Sequence, residues 1–296
     1  MNTKLLAETI FIKELITKKY PTGVVSLVMD SYDYWSILTQ ALPALKEDIL
    51  SRKPNNLGLA KTVCRPDSGD PVKIICGLRS VNESEIPTWD SEFLEDFDVI
   101  QTSDGKYYTF YESSEWEYGE EIYRGYTLEN EVPEYEVKGS VEVLWDIFGG
   151  TVSDKGYKTL NQRVGLIYGD SITLERAELI LQRLKDKGFA SDNVVFGIGS
   201  YTYQFNTRDS YGFAMKATHA VVNGVARDIY KDPKTGDGLK KSAKGLLRVE
   251  KEGDDFVLYD QQTPEQEKQG ELKVVFEDGK VYNTQSLEQI RNNLWK

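Results

Sequence analysis

Apolar residues fall in two kinds of pattern along this chain. Short continuous runs at Val24–Met29, Lys61–Cys64, Val164–Tyr168 and Val194–Phe196 are bounded by Gly, Asp and Pro, as in strands buried on both faces. Between them lie stretches of helical spacing. Residues 4–19 place Leu5, Ile10, Phe11, Leu15 and Ile16 roughly on one side. Residues 31–51 read as mostly helical, with Pro43 as a break. A helix opens at Pro71 and runs to Gly77, another spans Val141–Phe148, and a third covers 173–187 with Gly188 as its cap. Strands alternating with helices predict a parallel sheet or barrel.

The alternation is interrupted over residues 79–139. Period-two spacing around Tyr107–Tyr111 and Ile122–Leu128, with turns at Asp104-Gly105 and Arg124-Gly125, predicts antiparallel strands. Seven Tyr and two Trp in this stretch argue for a folded insertion rather than an acidic linker. After Ala220–Val222, read as a further core strand, two hairpins follow. Leu246–Glu250 pairs with Phe256–Tyr259, and Leu272–Phe276 with Val281–Asn283 across Asp278-Gly279. A helix from Leu287 to Leu294 closes the sequence. The expected division is residues 1–232, carrying the insertion 79–139, and a β-rich segment 233–296.

Charge sharpens this division. The chain has 296 residues and a net charge of −12, yet residues 81–138 alone hold 17 Asp/Glu and 3 Lys/Arg. The acidity belongs to the insertion, and a surface or interface role is expected for it. With no basic face to neutralise phosphates, nucleic acid is not an expected partner. No run of about 18 apolar residues suggests a membrane span. The N-terminal stretch has acids among its apolar residues and no small-residue cleavage site, unlike a secretory signal. Cys64 and Cys76 lie in apolar surroundings, so buried free thiols, a reducing compartment and a cytoplasmic location are expected. No Cys/His cluster has zinc-ligand spacing.

Polar chemistry gathers at strand ends. The run through Cys64 stops at Arg65-Pro66-Asp67-Ser68-Gly69-Asp70-Pro71. Arg offers a fixed fork of donors to phosphate or carboxylate, and Asp67 and Asp70 can accept from sugar hydroxyls or hold Mg²⁺. Gly169-Asp170 and Gly197–Ser200 follow the next two runs. In a parallel barrel such ends converge on one face, where Gly-rich turns present N–H groups to a phosphate. Basic Arg208, Lys216, Lys240 and Lys244 could neutralise more of its charge. The chemistry implied is binding of a phosphorylated sugar. Bland readings stand beside it: a capped turn before Pro71, a turn closed by Gly169, a surface Arg208–Asp209 pair, a solvated lysine loop, and Asp30 as a helix cap.

The spelling RPDSGDP resembles the nicotinamide phosphoribosyltransferase family of type II phosphoribosyltransferases. The resemblance runs on in order through VVSLVMDSYD (Val24–Asp33), VGLIYGDSIT (Val164–Thr173), VFGIGSYTYQFNTR (Val195–Arg208), FAMK (Phe213–Lys216), KDP (Lys231–Pro233) and KKSAKGLLR (Lys240–Arg248). Related nicotinate enzymes tend to carry Leu where this chain has Pro66. The implied fold is α/β: part of a (β/α) barrel with an acidic β-rich insertion and a β-rich C-terminal segment.

The resemblance is to the C-terminal portion of the family, and it implies formation of nicotinamide mononucleotide and diphosphate from nicotinamide and phosphoribosyl diphosphate, by this chain or by an enzyme of which it is the C-terminal part. A non-catalytic phosphoribosyl-binding half of a split enzyme and a nicotinate phosphoribosyltransferase are the alternatives. Arg65 matches the Arg near nicotinamide and the phosphoribosyl group, and Asp67 the Asp that holds ribose hydroxyls. Ser26 and Asp30 match positions beside the ring and the metal, with Asp30 and Asp67 as Mg²⁺ candidates. Gly169 and Asp170 match the ribose and phosphate turn. Gly199 and Ser200 match the 5′-phosphate loop, where Ser200 replaces the commoner Gly, and Arg208 matches the clamp on that phosphate. Lys216 and Lys240 match basic residues on the diphosphate and nucleotide side. A homodimer, or a complementing N-terminal half, is the implied partner, and ATP the implied coupled activator. The family's phosphorylated His falls in a segment before the first residue here. His219, the chain's only His, is not its counterpart and reads as a strand residue.

Overall fold

The continuous apolar runs become a parallel sheet in the order β1-β2-β9-β10. These strands are β1 (Gly23–Val28), β2 (Ala60–Arg65), β9 (Val164–Tyr168) and β10 (Val194–Phe196) in a computed structural model. Described there are residues 2–86, 93–117, 120–169, 171–198, 210, 214–231, 241–253 and 255–294. The register pairs Val28 with Arg65, Cys64 with Leu166 and Phe196 with Tyr168. All four strands therefore point the same way, and their C-terminal ends share one edge of the sheet. Among the described residues β1 and β10 are the outer strands, so the mixed α/β parallel character holds while closure into a barrel is not seen.

One sheet face is packed. Val25, Met29, Cys64, Leu166, Tyr168 and Val194 are buried on it. Met29, Cys64, Leu166, Tyr168 and Val194 join Ile16, Leu38, Ile75, Leu144 and Ile180 from the surrounding helices in one core. The alternate residues of the outer strands point the other way. Val24 and Val28 are each 52% exposed and Val195 is 58% exposed.

Local differences from the sequence reading have physical causes. The first helix, Thr3–Glu14, continues as a wider turn through Lys19. Its buried stripe is Leu5, Thr9, Ile12 and Ile16, whereas Ile10 and Phe11 face outward. Thr9 is tolerated inside because its hydroxyl donates to the Leu5 carbonyl. Residues 34–50 are helical in pieces, with a wide turn at Ile37–Ala41 just before Pro43.

The insertion carries β3 (Ser80–Asn82), β4 (Val99–Gln101), β5 (Tyr107–Glu117) and β6 (Glu120–Val132), which form a separate sheet in that order. Val81, Leu94 and Ile100 make its small core. Gly125 lies within β6 and pairs with Ser113, so Arg124-Gly125 is strand rather than turn. The insertion is tied to the helix Pro71–Cys76 by a Lys73–Asp98 ion pair of 2.7 Å. It returns through the helical segment Glu134–Phe148, which is interrupted at Gly139 with φ of 78°. There two backbones touch. A Cβ on Gly77 would sit 2.0 Å from the Val137 carbonyl oxygen, and one on Gly139 would sit 2.1 Å from the Gly77 nitrogen. Only glycine fits at either position.

After a small hairpin of β7 (Gly150–Val152) and β8 (Lys158–Leu160), the helix Leu174–Asp186 follows β9, with Thr173 capping its start and Gly188 just past its end. Contacts group the chain into two units, Met1–Phe213 with Asp232–Lys240, and Ala214–Lys231 with Lys241–Lys296. The second unit holds two-stranded hairpins. They are β11 (His219–Val222) with β12 (Val225–Asp228), β13 (Leu246–Glu252) with β14 (Asp255–Gln262), and β15 (Phe276–Glu277) with β16 (Lys280–Val281). The last turns through Asp278-Gly279, both with positive φ, as the sequence implies. Residues 220–222 are thus a hairpin arm with Val221 and Val222 exposed, not a core strand. A helix Leu287–Leu294 ends this unit. Among the described residues no helix is long and apolar enough to cross a membrane.

Candidate active site

Polar residues collect where β1, β2 and β9 end. Arg65 is the last residue of β2, and the Pro that follows it halts the ladder. Its Nη2 lies 3.8 Å from Asp67 Oδ1, and both side chains remain partly open to solvent. The buried Arg65 Nε has no hydrogen-bond partner among the described residues. Asp70 then caps the helix Pro71–Cys76 by accepting from the Val72 N–H at 2.8 Å, with Pro71 at its first position. The capped turn and the polar strand end therefore coexist.

Asp30 follows β1 and is fully buried. Its Oδ2 accepts from the Asp67 N–H at 3.0 Å and from the Ser68 hydroxyl. Its Oδ1 has no partner among the described residues. Asp30 is not a helix cap, since Asp33 takes that role, accepting from the Ser36 N–H and hydroxyl. The negative charge at the end of β1 is felt nearby. Glu8 has its carboxyl pushed up, first by burial and then by Asp33 and Asp30. Glu136 is pushed up likewise, by burial and then by Asp33.

Gly169 follows β9 and Gly197 follows β10. A Cβ on Gly197 would come within 2.7 Å of the Gly169 Cα, and one on Gly169 would lie 3.9 Å from Arg65 Nη2. The two glycines let the strand ends close up beside the guanidinium. Ser26 is exposed on the sheet face away from the core, paired with Val63 two positions before the Val28–Arg65 pair.

The structure thus brings Ser26, Asp30, Arg65, Asp67 and Gly169 to one end of one sheet. Lys216 belongs to the second unit and is exposed. His219 is in that unit too, paired with Asp228. Asp170, Gly199, Ser200, Arg208 and Lys240 lie outside the described residues. Sequence reasoning missed Tyr168. This residue is fully buried, and its hydroxyl lies 3.0 Å from the Ser68 carbonyl and 2.9 Å from that of Gly69.

Cys64 and Cys76 are buried free thiols, as composition implied, and burial pushes each up to about 12. Neither is a nucleophile at neutral pH.

This arrangement can receive an anion on Arg65 and a hydroxyl-bearing group on Asp67, beside backbone that a ligand can approach closely. Residues 11–280 match the nicotinate phosphoribosyltransferase (NAPRTase) family. The nicotinamide phosphoribosyltransferase of Acinetobacter baylyi is 49% identical over 282 residues, which is 95% of this chain and 46% of that protein. The enzyme of the same name from Mycoplasma pneumoniae is 34% identical over 230 residues, 78% of this chain and 39% of its own. That from Xanthomonas campestris is 29% identical over 277 residues, 92% and 44% respectively. The chain spans less than half the length of each of these relatives. Both the span of the family match and the polar strand ends agree that this chain belongs to the nicotinate phosphoribosyltransferase family.

Proposed function

We propose that this chain carries the phosphoribosyl-handling part of a nicotinamide phosphoribosyltransferase acting in NAD salvage. The observation that carries the reading is the 49% identity across 95% of the chain to a relative of that name, with Arg65 and Asp67 side by side at one strand end. In the reaction, the nicotinamide ring nitrogen forms a bond to ribose C1′ as the bond from C1′ to diphosphate breaks. The electron pair leaves with diphosphate. Arg65 holds the anionic group, and Asp67 accepts from ribose hydroxyls and fixes the sugar for in-line attack. Positioning of this kind supplies much of the rate, and fixed positive charge stabilises the leaving group.

Mg²⁺ fits the donor set in one way. Among the described residues no three or more His, Cys, Asp or Glu side chains form a metal cluster, but Mg²⁺ is commonly bound by one or two carboxylates plus substrate phosphates. Among the described residues, Asp67 and Asp30, whose Oδ1 has no partner there, are the carboxylates that would hold it. Bound there, the ion would neutralise diphosphate charge. ATP as coupled activator, a homodimer or complementing N-terminal portion, and a cytoplasmic location belong to the same proposal.

The test is formation of nicotinamide mononucleotide by the purified chain from nicotinamide, phosphoribosyl diphosphate and Mg²⁺, with nicotinate as competitor and ATP added in a second arm. Product made from nicotinamide in preference to nicotinate supports the reading. Failure to bind phosphoribosyl diphosphate at all overturns it. Arg65→Ala is expected to weaken that binding about 10- to 100-fold, the range for a lost charged hydrogen bond. The short span relative to its relatives favours a second reading, in which these residues bind ligand and turnover needs more polypeptide. Binding without product selects it.

A further inference from the structure

The Arg65–Asp70 segment is held by groups that lie outside it. From the β1 side, Asp30 accepts from the Asp67 N–H and from the Ser68 hydroxyl. From the β9 side, the Tyr168 hydroxyl reaches the carbonyls of Ser68 and Gly69. Three consecutive loop residues are therefore fixed from two neighbouring strands. A buried phenol needs a partner for its O–H, and the partner here is the backbone next to Asp67.

We propose that Tyr168 is a positioning residue for the phosphoribosyl site, its buried hydroxyl holding Ser68 and Gly69 so that Asp67 is presented in a fixed orientation. The proposal rests on the functional reading above and deepens it. Tyr168 does not itself touch the ligand. The ring fills the core under β9, among Cys64, Leu166 and Val194, and only its polar tip reaches the loop. Loss of the hydroxyl leaves the packing intact and removes the hold from the β9 side, while that of Asp30 remains. Preset geometry of this kind lowers the ordering cost of binding.

The experiment uses the full chain and two variants, Tyr168→Phe and Tyr34→Phe. Tyr34 is a similarly buried phenol near Asp30 and Tyr168 whose hydroxyl donates to Ser140 Oγ at 2.9 Å rather than to the loop, and it serves as the control for losing a buried hydroxyl that does not hold the loop. Ribose 5-phosphate affinity is measured by calorimetry, and backbone amide exchange by mass spectrometry on peptides covering 64–72 and 174–186. Tyr168→Phe is expected to weaken ribose 5-phosphate binding about three- to tenfold, the range for one neutral hydrogen bond. It should speed exchange in 64–72 and leave 174–186 unchanged. Tyr34→Phe should show neither ligand nor loop effect. Equal loss of affinity in both variants, or unchanged exchange in 64–72 of Tyr168→Phe, overturns the proposal. If the unmodified chain binds no phosphoribosyl ligand, the functional reading fails. The exchange data then decide the anchoring by themselves.

Discussion

The two faces of the β1-β2-β9-β10 sheet differ in cover, although valine recurs on both. One carries Val25, Met29, Leu166 and Val194 into the core. The other shows Val24, Val28 and Val195 half-exposed at its outer strands, with Ser26 and Arg65 between them. Continuous apolar runs arise when both faces of a strand meet other apolar atoms. The difference teaches that hydrophobicity in a run reports what a strand is suited to, while the packed face reports what these residues supply for themselves.

The largest expected effect breaks this comparison directly. Leu166→Ala, on the packed face, should cost about 2–5 kcal/mol in urea unfolding, whereas Val24→Ala should stay within about 0.5 kcal/mol. Equal losses would mean that both faces are packed in solution. Next, Gly197→Ala places a methyl 2.7 Å from the Gly169 Cα and should cost about 1–3 kcal/mol by overpacking. It should also weaken ribose 5-phosphate binding, because the strand ends beside Arg65 must part.

Asp98→Asn comes third. It removes the charge partner of Lys73 and should cost about 1–3 kcal/mol, read as a lower unfolding midpoint. Burial alone raises the Asp98 carboxyl, but bonds from the Arg79 N–H and the Lys73 ammonium bring it below its ordinary value of 3.8. That contribution is present above the ordinary value and is lost as pH falls through the depressed one. Acid titration of the variant should therefore show a shallower loss of stability below about pH 4. The smallest effect concerns the thiols. With both pushed from 9.0 to about 12 in the fold, their contribution is present below pH 9.0 and lost as pH rises towards 12. A disulfide reagent at pH 8 should label neither until the chain unfolds.

Much of this arrangement is legible in the sequence. The four parallel strands, the Asp70-Pro71 helix start and the Asp278-Gly279 turn follow from local chemistry, so the sequence pattern finds them, although only one face of the strands is packed and not both. The helix Thr3–Glu14 follows from its spacing, but its buried side is not the one that spacing predicts. Ile10 and Phe11 are apolar and adjacent, while the buried stripe follows the spacing 5, 9, 12, 16 and includes a Thr. Gly125 looked like a turn and is a strand residue, since cross-strand pairing overrides its local freedom. The site residues at strand ends were visible as an abrupt change from apolar to polar. Tyr168 was not, because its partners are carbonyls about a hundred positions earlier. A backbone acceptor leaves no mark in the sequence.

The contact between Gly77 and Gly139 has a consequence for how such a chain can change over time. The acidic segment leaves and rejoins the scaffold at a single point, where two backbones lie against each other and the Leu78 N–H donates to the Glu136 carbonyl. An excursion with coincident ends behaves as a removable module. Its length, charge and shape can be rewritten, or the whole piece deleted and bridged by a short link, without displacing β2 or β9. The two glycines are the hinge pin of that modularity, and they, rather than the acidic residues, are where the insertion is least free to vary.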